Sequence, residues 1–168
     1  FSVWPKELRV RDEKALEKAF KEEKKLVDIY CVLQYFFYKQ WQKMREYANG
    51  KGVKIIGDIP IFVASDSVDA WANKRLLQYD EDSVQEASAG VPPDAFSSTG
   101  QLWGNPLYNW DEMAKDGYKW WIERIKASLK IADIIRIDHF RGFEAYWRIP
   151  KGEETAINGK WVKGPGQK

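Results

Sequence analysis

The sequence predicts an α/β protein with a parallel sheet. Amphipathic helical segments alternate with short apolar strand segments, which is the order of elements in βα units. The segment 131–138 is rich in isoleucine, as in a parallel strand that is covered on both faces. With 44% hydrophobic and 31% charged residues, the 168-residue sequence can bury the core of one ordinary domain.

Two helices are predicted first. Residues 12–26 are rich in Lys, Glu and Ala, with Asp12 as the N-cap, and are expected to form an exposed, solvated helix. A stronger helix follows, with a wide apolar face that recurs every three or four residues from Ile29 to Ala48. Asn49 and Gly50 end it as a C-cap would, and Cys31 within it is expected to be a buried, inert thiol.

A strand over 53–58 comes next, ending near Asp58 because Pro60 cannot continue a central strand. A short helix is predicted over 68–77. The following stretch, 78–117, is interpreted as a long irregular loop with a function, because loops of this length are usually functional or disordered and this one carries too many aromatic residues to be disordered.

The second half repeats the pattern. Residues 117–130 are predicted to form an amphipathic helix that makes a right-handed crossover to the strand over 131–138, parallel to and beside the strand over 53–58. The tail from Lys151 is interpreted as a loop because it is rich in Gly, Lys and Pro.

Composition excludes several classes of protein. The 27 Lys and Arg residues nearly balance the 25 Asp and Glu residues, and a net charge of +2 argues against nucleic acid as a partner. No apolar run approaches the roughly 18–20 residues that span a bilayer, so no membrane partner is expected. One cysteine and one histidine exclude an internal disulfide and a zinc site built from several such ligands, and no metal or cofactor is predicted.

Two aspartates mark the predicted site, because ligands of parallel α/β folds bind beyond the carboxyl ends of the strands. Asp58 and Asp138 each follow an apolar strand segment, and Arg136 points to the same side of its strand as Asp138. An arginine beside a carboxylate favours the ionised form that a nucleophile needs. A buried Arg–Asp pair that only holds the sheet fits the same pattern, and residue types alone leave both readings open. His139 faces away in strict alternation but can turn toward a ligand at the strand end.

Aromatic and small polar residues in the 78–117 stretch suit a sugar ligand. Aromatic faces cover the C–H face of a pyranose, while polar groups bind its hydroxyls. Candidates are Trp103 as a platform, with Ser97 and Asn105 among the polar groups. Packing of a long loop is the simpler explanation of Trp103 on residue types alone.

Several longer motifs resemble the 4-α-glucanotransferases, the amylomaltases or disproportionating enzymes. They are, in chain order, GDIPIFVASDS at 57–67, AGVPPDAFSSTGQLWGNP at 89–106, RIDHFRG at 136–142, EAYW at 144–147 and NGKWVKGPG at 158–166. The resemblance covers nearly the whole chain after the first 25 residues or so.

The resemblance implies a cytosolic or plastid enzyme of the α-amylase clan that moves α-1,4-glucan segments between maltooligosaccharides by a retaining double displacement. By that match Asp138 is the nucleophile, Arg136 orients it, and Asp58 lies near the −1 subsite. By the same match the stretch 78–117 covers substrate. Within it the segment 94–103 is the mobile loop over the acceptor subsites, with Phe96 and Trp103 as sugar platforms. The residues implied to bind substrate are Asp58, Arg136, His139, Asp94, Phe96, Ser97, Trp103 and Asn105. Many relatives have Tyr where this sequence has Ala95.

The resemblance also implies a partial (β/α)₈ barrel, roughly its third and fourth βα units, because a complete barrel takes about 250 residues. We therefore expect this chain to be an internal piece of a longer catalytic domain, with open strand edges covered by the rest of the barrel or by a second copy. The acid/base glutamate of the family follows on the next strand, so we expect the chain alone to be inactive. A hydrolase of the same clan and a non-catalytic glucan-binding piece are the alternatives.

Overall fold

The chain folds into two compact units. The structure, a computed structural model, describes Phe1 and residues 3–167. The sheet unit comprises Phe1–Trp4, Pro60–Lys119 and Ile137–Lys168, and the helical unit comprises Pro5–Ile59 and Trp120–Arg136. No helix in the described part of the chain is long and apolar enough to cross a membrane.

Helices dominate the helical unit. They are α1 Lys6–Arg9, α2 Glu13–Glu22, α3 Lys24–Gly50 and α6 Lys119–Leu129. Asp12 is the N-cap of α2, and its carboxylate accepts a hydrogen bond from the backbone N–H of Ala15 at 2.9 Å. The predicted helices at 12–26, 29–48 and 117–130 are confirmed, with shifts of a few residues at their ends.

Strands β1, Ile56–Pro60, and β4, Ile134–Asp138, pair with each other. The Ile55 carbonyl accepts hydrogen bonds from the N–H groups of Asp133 and Ile134, and three residues further along Asp58 pairs with Arg136. Because residue numbers rise together along both strands, the pair is parallel, as predicted. Pro60 closes β1 rather than lying beyond it. In the described sheet β1 has β4 as its one partner, and an edge strand of this kind tolerates a proline.

A polar clamp holds α3 in the helical unit. The carboxylate of Asp133 accepts hydrogen bonds from Arg45, from Asn49 and from the backbone N–H of Ile55, at 2.6 to 2.9 Å. The Trp41 indole N–H donates to the Ile131 carbonyl at 2.8 Å. The predicted apolar face of α3 is present, but none of its residues is buried. The expectation of a buried Cys31 is wrong: its side chain is exposed, because nothing in the described chain covers that face.

The sheet unit is built on a four-stranded antiparallel sheet in the order β3-β2-β5-β6. Its strands are β2 Ala87–Val91, β3 Gln101–Pro106, β5 Ala145–Pro150 and β6 Lys160–Lys163. Two short helices belong to the same unit: α4 Val68–Ala72 precedes β2 in the sequence, and α5 Trp110–Ala114 follows β3.

Two predictions about this region are wrong. The stretch 78–117 is not an irregular loop, because it contains β2, β3 and α5, and the tail from Lys151 contains β6. The sequence ASAGV of β2 has little intrinsic β-propensity, and it forms a strand because β3 and β5 pair with it on both sides. Close packing requires glycine there: a Cβ on Gly90 would lie 2.1 Å from the Gln101 carbonyl oxygen.

The core of the sheet unit supports the end of β1. Ile61, Leu107, Tyr108, Met113 and Ile149 are almost fully buried. The Tyr108 hydroxyl donates to the Ile61 carbonyl at 2.6 Å, and the Phe62 ring stacks on the Tyr108 ring at 5.7 Å between centroids. These contacts fix the backbone just beyond the carboxyl end of β1.

Candidate active site

A small pocket opens in the sheet unit beside the carboxyl end of β4. Its volume is about 140 Å³, below the roughly 300–1,000 Å³ of typical small-molecule sites, so it fits one part of a ligand rather than a whole one. The residues that line it are Pro60, Ile61, Phe62, Trp103, Asn105, Asp138 and His139. Four of the predicted site residues therefore meet here: Trp103, Asn105, Asp138 and His139.

Asp138 is the last residue of β4, and its backbone is held at the pocket. The Ile61 N–H donates to the Asp138 carbonyl at 3.2 Å, which ties the strand end to the residue that follows β1. The Asp138 side chain remains exposed and borders the pocket. A carboxylate with this placement meets the first requirement of a nucleophile, which is access to a ligand.

His139 turns the chain sharply after Asp138. Its backbone is left-handed, with φ 55° and ψ 43°, and leads into a 3₁₀ turn, Phe140–Phe143. Within that turn Gly142 packs closely, since a Cβ there would lie 2.7 Å from Ile61 Cδ1. The strict alternation assumed from the sequence therefore stops at His139, and its side chain turns into the pocket.

The surroundings of His139 favour the neutral form of its imidazole. Burial lowers its pKa below the usual 6.5, and the charge of Arg141 lowers the pKa further, against the opposing effect of Asp138. Its Nε2 is buried, and no residue in the described chain gives it a hydrogen-bond partner. A neutral imidazole offers one N–H donor and one acceptor nitrogen to a ligand.

Aromatic rings line part of the same pocket and form an aromatic wall. The Trp103 indole meets the His139 ring edge-on, with centroids 4.9 Å apart and planes at 88°, and lies 6.4 Å from the Phe62 ring. Asn105 donates through its side-chain nitrogen to the Val63 carbonyl at 2.9 Å. Phe62 was not predicted as a site residue, although it lies within the motif at 57–67.

Asp58 and Arg136 belong to the helical unit and pair with each other. The guanidinium donates to both carboxylate oxygens of Asp58, at 2.9 and 2.5 Å, in a two-pronged geometry. Both side chains are more than half exposed, so the pair contributes at most about 1 kcal/mol to stability. The predicted role of Arg136 as the residue that orients Asp138 stays a prediction.

The remaining predicted residues form the loop between β2 and β3. The Asp94 carboxylate accepts hydrogen bonds from the N–H groups of Phe96 and Ser97, both at 2.8 Å, and the Ser97 hydroxyl donates to the Gly100 carbonyl. These bonds build the turn and present Phe96 outward, with 98% of its surface exposed. Neither Asp94, Phe96 nor Ser97 lines the pocket.

The pocket combines one carboxylate, a neutral imidazole, an amide and an aromatic wall. Asp138 is the only carboxylate among its lining residues, all of which are described. Among the described residues there is no cluster of three or more His, Cys, Asp or Glu side chains that could hold a metal ion. The arrangement can bind a polar ring against an aromatic face and bring a carboxylate to it.

Comparisons with known proteins match this chain to one family over nearly its whole length. The family model of glycoside hydrolase family 77, 4-alpha-glucanotransferase, matches residues 1–168. The 4-alpha-glucanotransferase of Streptococcus pneumoniae is 54% identical over 100% of this chain and 34% of its own length. That of Thermus thermophilus is 48% identical over 98% of this chain and 33% of its own length.

Solved structures extend the likeness to the backbone. The amylomaltase from Streptococcus agalactiae in complex with acarbose superposes with a TM-score of 0.94 at 46% identity, over 98% of this chain and 34% of that one. The amylomaltase from Corynebacterium glutamicum, at 24% identity and a TM-score of 0.73 over 84% of this chain and 19% of that one, shares the fold. The chain thus spans about a third of the length of the curated relatives named above.

Proposed function

The chain belongs to the 4-alpha-glucanotransferase family, and from that premise we propose that it supplies the nucleophile and part of the substrate site of an enzyme that transfers α-1,4-glucan segments between maltooligosaccharides. The observation that carries the proposal is the accessible Asp138 carboxylate in a pocket walled by Trp103 and Phe62. A relative of the same fold has been solved with acarbose.

In the proposed reaction a carboxylate oxygen of Asp138 attacks the anomeric carbon of the donor sugar. The glycosidic C–O bond breaks, and its electron pair goes to the leaving oxygen, which takes a proton from a general acid. The resulting ester is then attacked by an acceptor hydroxyl, which gives its proton back to the same group. One glycosidic bond is broken and one is formed, and the anomeric configuration is retained.

Several side chains have binding roles in this proposal. Trp103 and Phe96 are platforms for sugar rings, while Asn105 and His139 bind hydroxyl groups through their polar atoms. Asp94 and Ser97 act by shaping the loop that carries Phe96. Asp58 and Arg136 serve the −1 subsite.

The general acid is proposed to lie outside this chain. Retaining chemistry takes two carboxyl groups about 5–5.5 Å apart. Three glutamates follow Asp138, namely Glu144, Glu153 and Glu154, and none of them lines the pocket. The Glu153 carboxylate instead accepts a hydrogen bond from Asn158 at 2.9 Å. Since general acid–base help contributes about 10²–10⁴-fold, we expect the chain alone to release no measurable glucose from maltotriose.

A chimaera tests the assignment of Asp138. This chain replaces the matching segment of the Streptococcus agalactiae amylomaltase, and glucose release from maltotriose is measured. We expect Asp138→Asn to lower turnover by roughly 10³–10⁶-fold, because the amide cannot attack. Asp82→Asn removes a carboxylate from an exposed position and is the matched control. Near-normal turnover in the Asp138→Asn chimaera would assign the nucleophile elsewhere.

The same assay separates transfer from hydrolysis. Transfer keeps the number of reducing ends constant while longer maltooligosaccharides accumulate, whereas hydrolysis raises that number. We expect a constant number. The single-carboxylate pocket also favours a second reading for the chain on its own, which is glucan binding without turnover, and titration of the 168-residue protein with maltooligosaccharides measures it.

A further inference from the structure

His139 has an unusual backbone at a functional position. Four described residues other than glycine have positive φ, namely Arg11, Ser83, Tyr118 and His139. Of these, His139 is the one that lines the pocket. A left-handed backbone at a non-glycine residue is strained and persists where the surroundings hold it. The strain places the imidazole against Trp103 instead of on the far side of the strand.

Besides the contact with His139, the Trp103 indole has one hydrogen bond and one further ring contact among the described residues. Its N–H donates to the Gln101 side chain at 2.9 Å, but Gln101 is an exposed residue two positions away on the same strand. The Phe62 ring lies 6.4 Å away at a tilt of 49°, near the outer limit for an aromatic pair. The perpendicular contact with His139, at 4.9 Å, is the closest ring contact that Trp103 makes in the described chain.

We infer that His139 is a positioning residue, whose imidazole fixes the tilt of the Trp103 ring over the pocket and so couples this aromatic wall to the strand end that carries Asp138. The indole comes from β3 and the carboxylate from β4, and the imidazole bridges them from the residue directly after Asp138. Gly142 holds the turn that follows His139 against Ile61, because a Cβ there would lie 2.7 Å from Ile61 Cδ1. The inference deepens the proposed function, since it rests on Trp103 as a sugar platform.

The position of Trp103 is measured by ¹⁹F NMR of the 168-residue protein labelled with 5-fluorotryptophan, with the Trp103 signal assigned by its loss in Trp103→Phe. His139→Asn keeps a residue that tolerates the left-handed backbone but removes the ring. We expect the Trp103 signal to move toward its frequency in the urea-unfolded protein. His139→Phe restores an aromatic ring, and we expect it to return the signal toward that of the parent protein.

Tyr118→Asn is the matched control, because it also replaces an aromatic residue at positive φ, at a position outside the pocket lining. We expect it to leave the Trp103 signal in place. An unmoved signal in His139→Asn, or an equal movement in Tyr118→Asn, would overturn the inference. Should His139→Asn fail to fold, His139→Phe decides: a Trp103 signal that stays near the parent value supports a ring contact, and one at the unfolded frequency contradicts it.

In the chimaera described above, His139→Asn and His139→Phe both remove the imidazole nitrogens, so the difference in KM between them reports the ring contact alone. We expect KM for maltotriose to be about 2- to 12-fold higher in His139→Asn than in His139→Phe, the range that corresponds to loss of one aromatic pair, with kcat changed less than KM. A purely structural role would lower the amount of active enzyme and leave KM unchanged. Failure of Asp138→Asn to abolish turnover would contradict the proposed function. The NMR test of Trp103 does not depend on turnover, so the two results can be told apart.

Discussion

Helix α3 and strand β2 are held in place by different forces. The 27 residues of α3 include many large apolar side chains, yet none is buried, and the helix is tied down through the polar atoms of Trp41, Arg45 and Asn49. The five residues of β2 include only small side chains, and most are buried between two partner strands. Apolar content therefore does not decide burial here, since a neighbouring element has to cover the side chain as well.

The largest effect is expected from filling the space that β2 leaves. In Gly90→Ala the new methyl would lie 2.1 Å from the Gln101 carbonyl oxygen and 2.6 Å from Ile149 Cδ1, and the backbone oxygen cannot move without breaking the β2–β3 pairing. We expect a loss of about 3 kcal/mol or more in the free energy of unfolding, measured by urea titration. Gly50→Ala in α3 is the control: nothing lies within 4 Å of its new Cβ, and the change should be neutral or slightly stabilising. If Gly90→Ala and Gly50→Ala lose the same free energy of unfolding, the close packing of β2 does not distinguish it from α3.

The polar clamp of α3 predicts a pH dependence. Hydrogen bonds from the Ile55 N–H, Asn49 and Arg45 lower the pKa of Asp133 from 3.8 to about 2. Because the folded pKa is the lower one, the folded chain favours the ionised carboxylate, so the stabilisation is present above pH 3.8 and is lost as pH falls toward about 2. We expect Asp133→Asn to remove this acid-dependent loss from urea titrations between these pH values. If the free energy of unfolding of Asp133→Asn falls with pH as steeply as that of the parent protein, the acid sensitivity belongs to other groups.

A smaller effect is expected at Trp41. Trp41→Phe keeps an aromatic ring beside Phe37, which stacks on Trp41 at 5.9 Å, but leaves the Ile131 carbonyl without this donor. A lost hydrogen bond of this kind costs about 1 kcal/mol, and the urea midpoint should fall accordingly. No change in the midpoint would show that the ring alone anchors the helix.

The smallest effect is expected at the exposed pair of Lys24 and Asp28. Their charged groups are 2.8 Å apart on successive turns of α3, and both side chains are largely exposed. Such pairs contribute about 0.3–0.5 kcal/mol, so Asp28→Asn should shift the urea midpoint only slightly. A shift as large as that of Trp41→Phe would mean that surface charge, rather than the clamp, holds this helix.

The sequence predicted residues of the candidate site that follow an apolar strand segment or lie in a long motif. Asp138 and His139 follow a clear apolar segment, and Trp103 and Asn105 lie in a long motif, so the sequence located four pocket residues. Phe62 was missed because its aromatic ring follows Pro60 in a segment without periodicity. The sequence left the direction of His139 open, because strand alternation assigns it to the opposite face while a strand end allows it to turn. The left-handed backbone decides for the turn.

Local pattern alone determined the helices α2, α3 and α6 and the parallel strands β1 and β4, because amphipathic spacing, caps and isoleucine-rich segments act within a few residues of chain. The long motifs also determined the family. Only the tertiary structure decided the antiparallel sheet, since β2 is a strand through its partners β3 and β5 and not through its own residues. It likewise decided that the apolar face of α3 stays exposed and that Arg136 pairs with Asp58, because burial and ion pairing depend on which side chains, distant in sequence, come together in space.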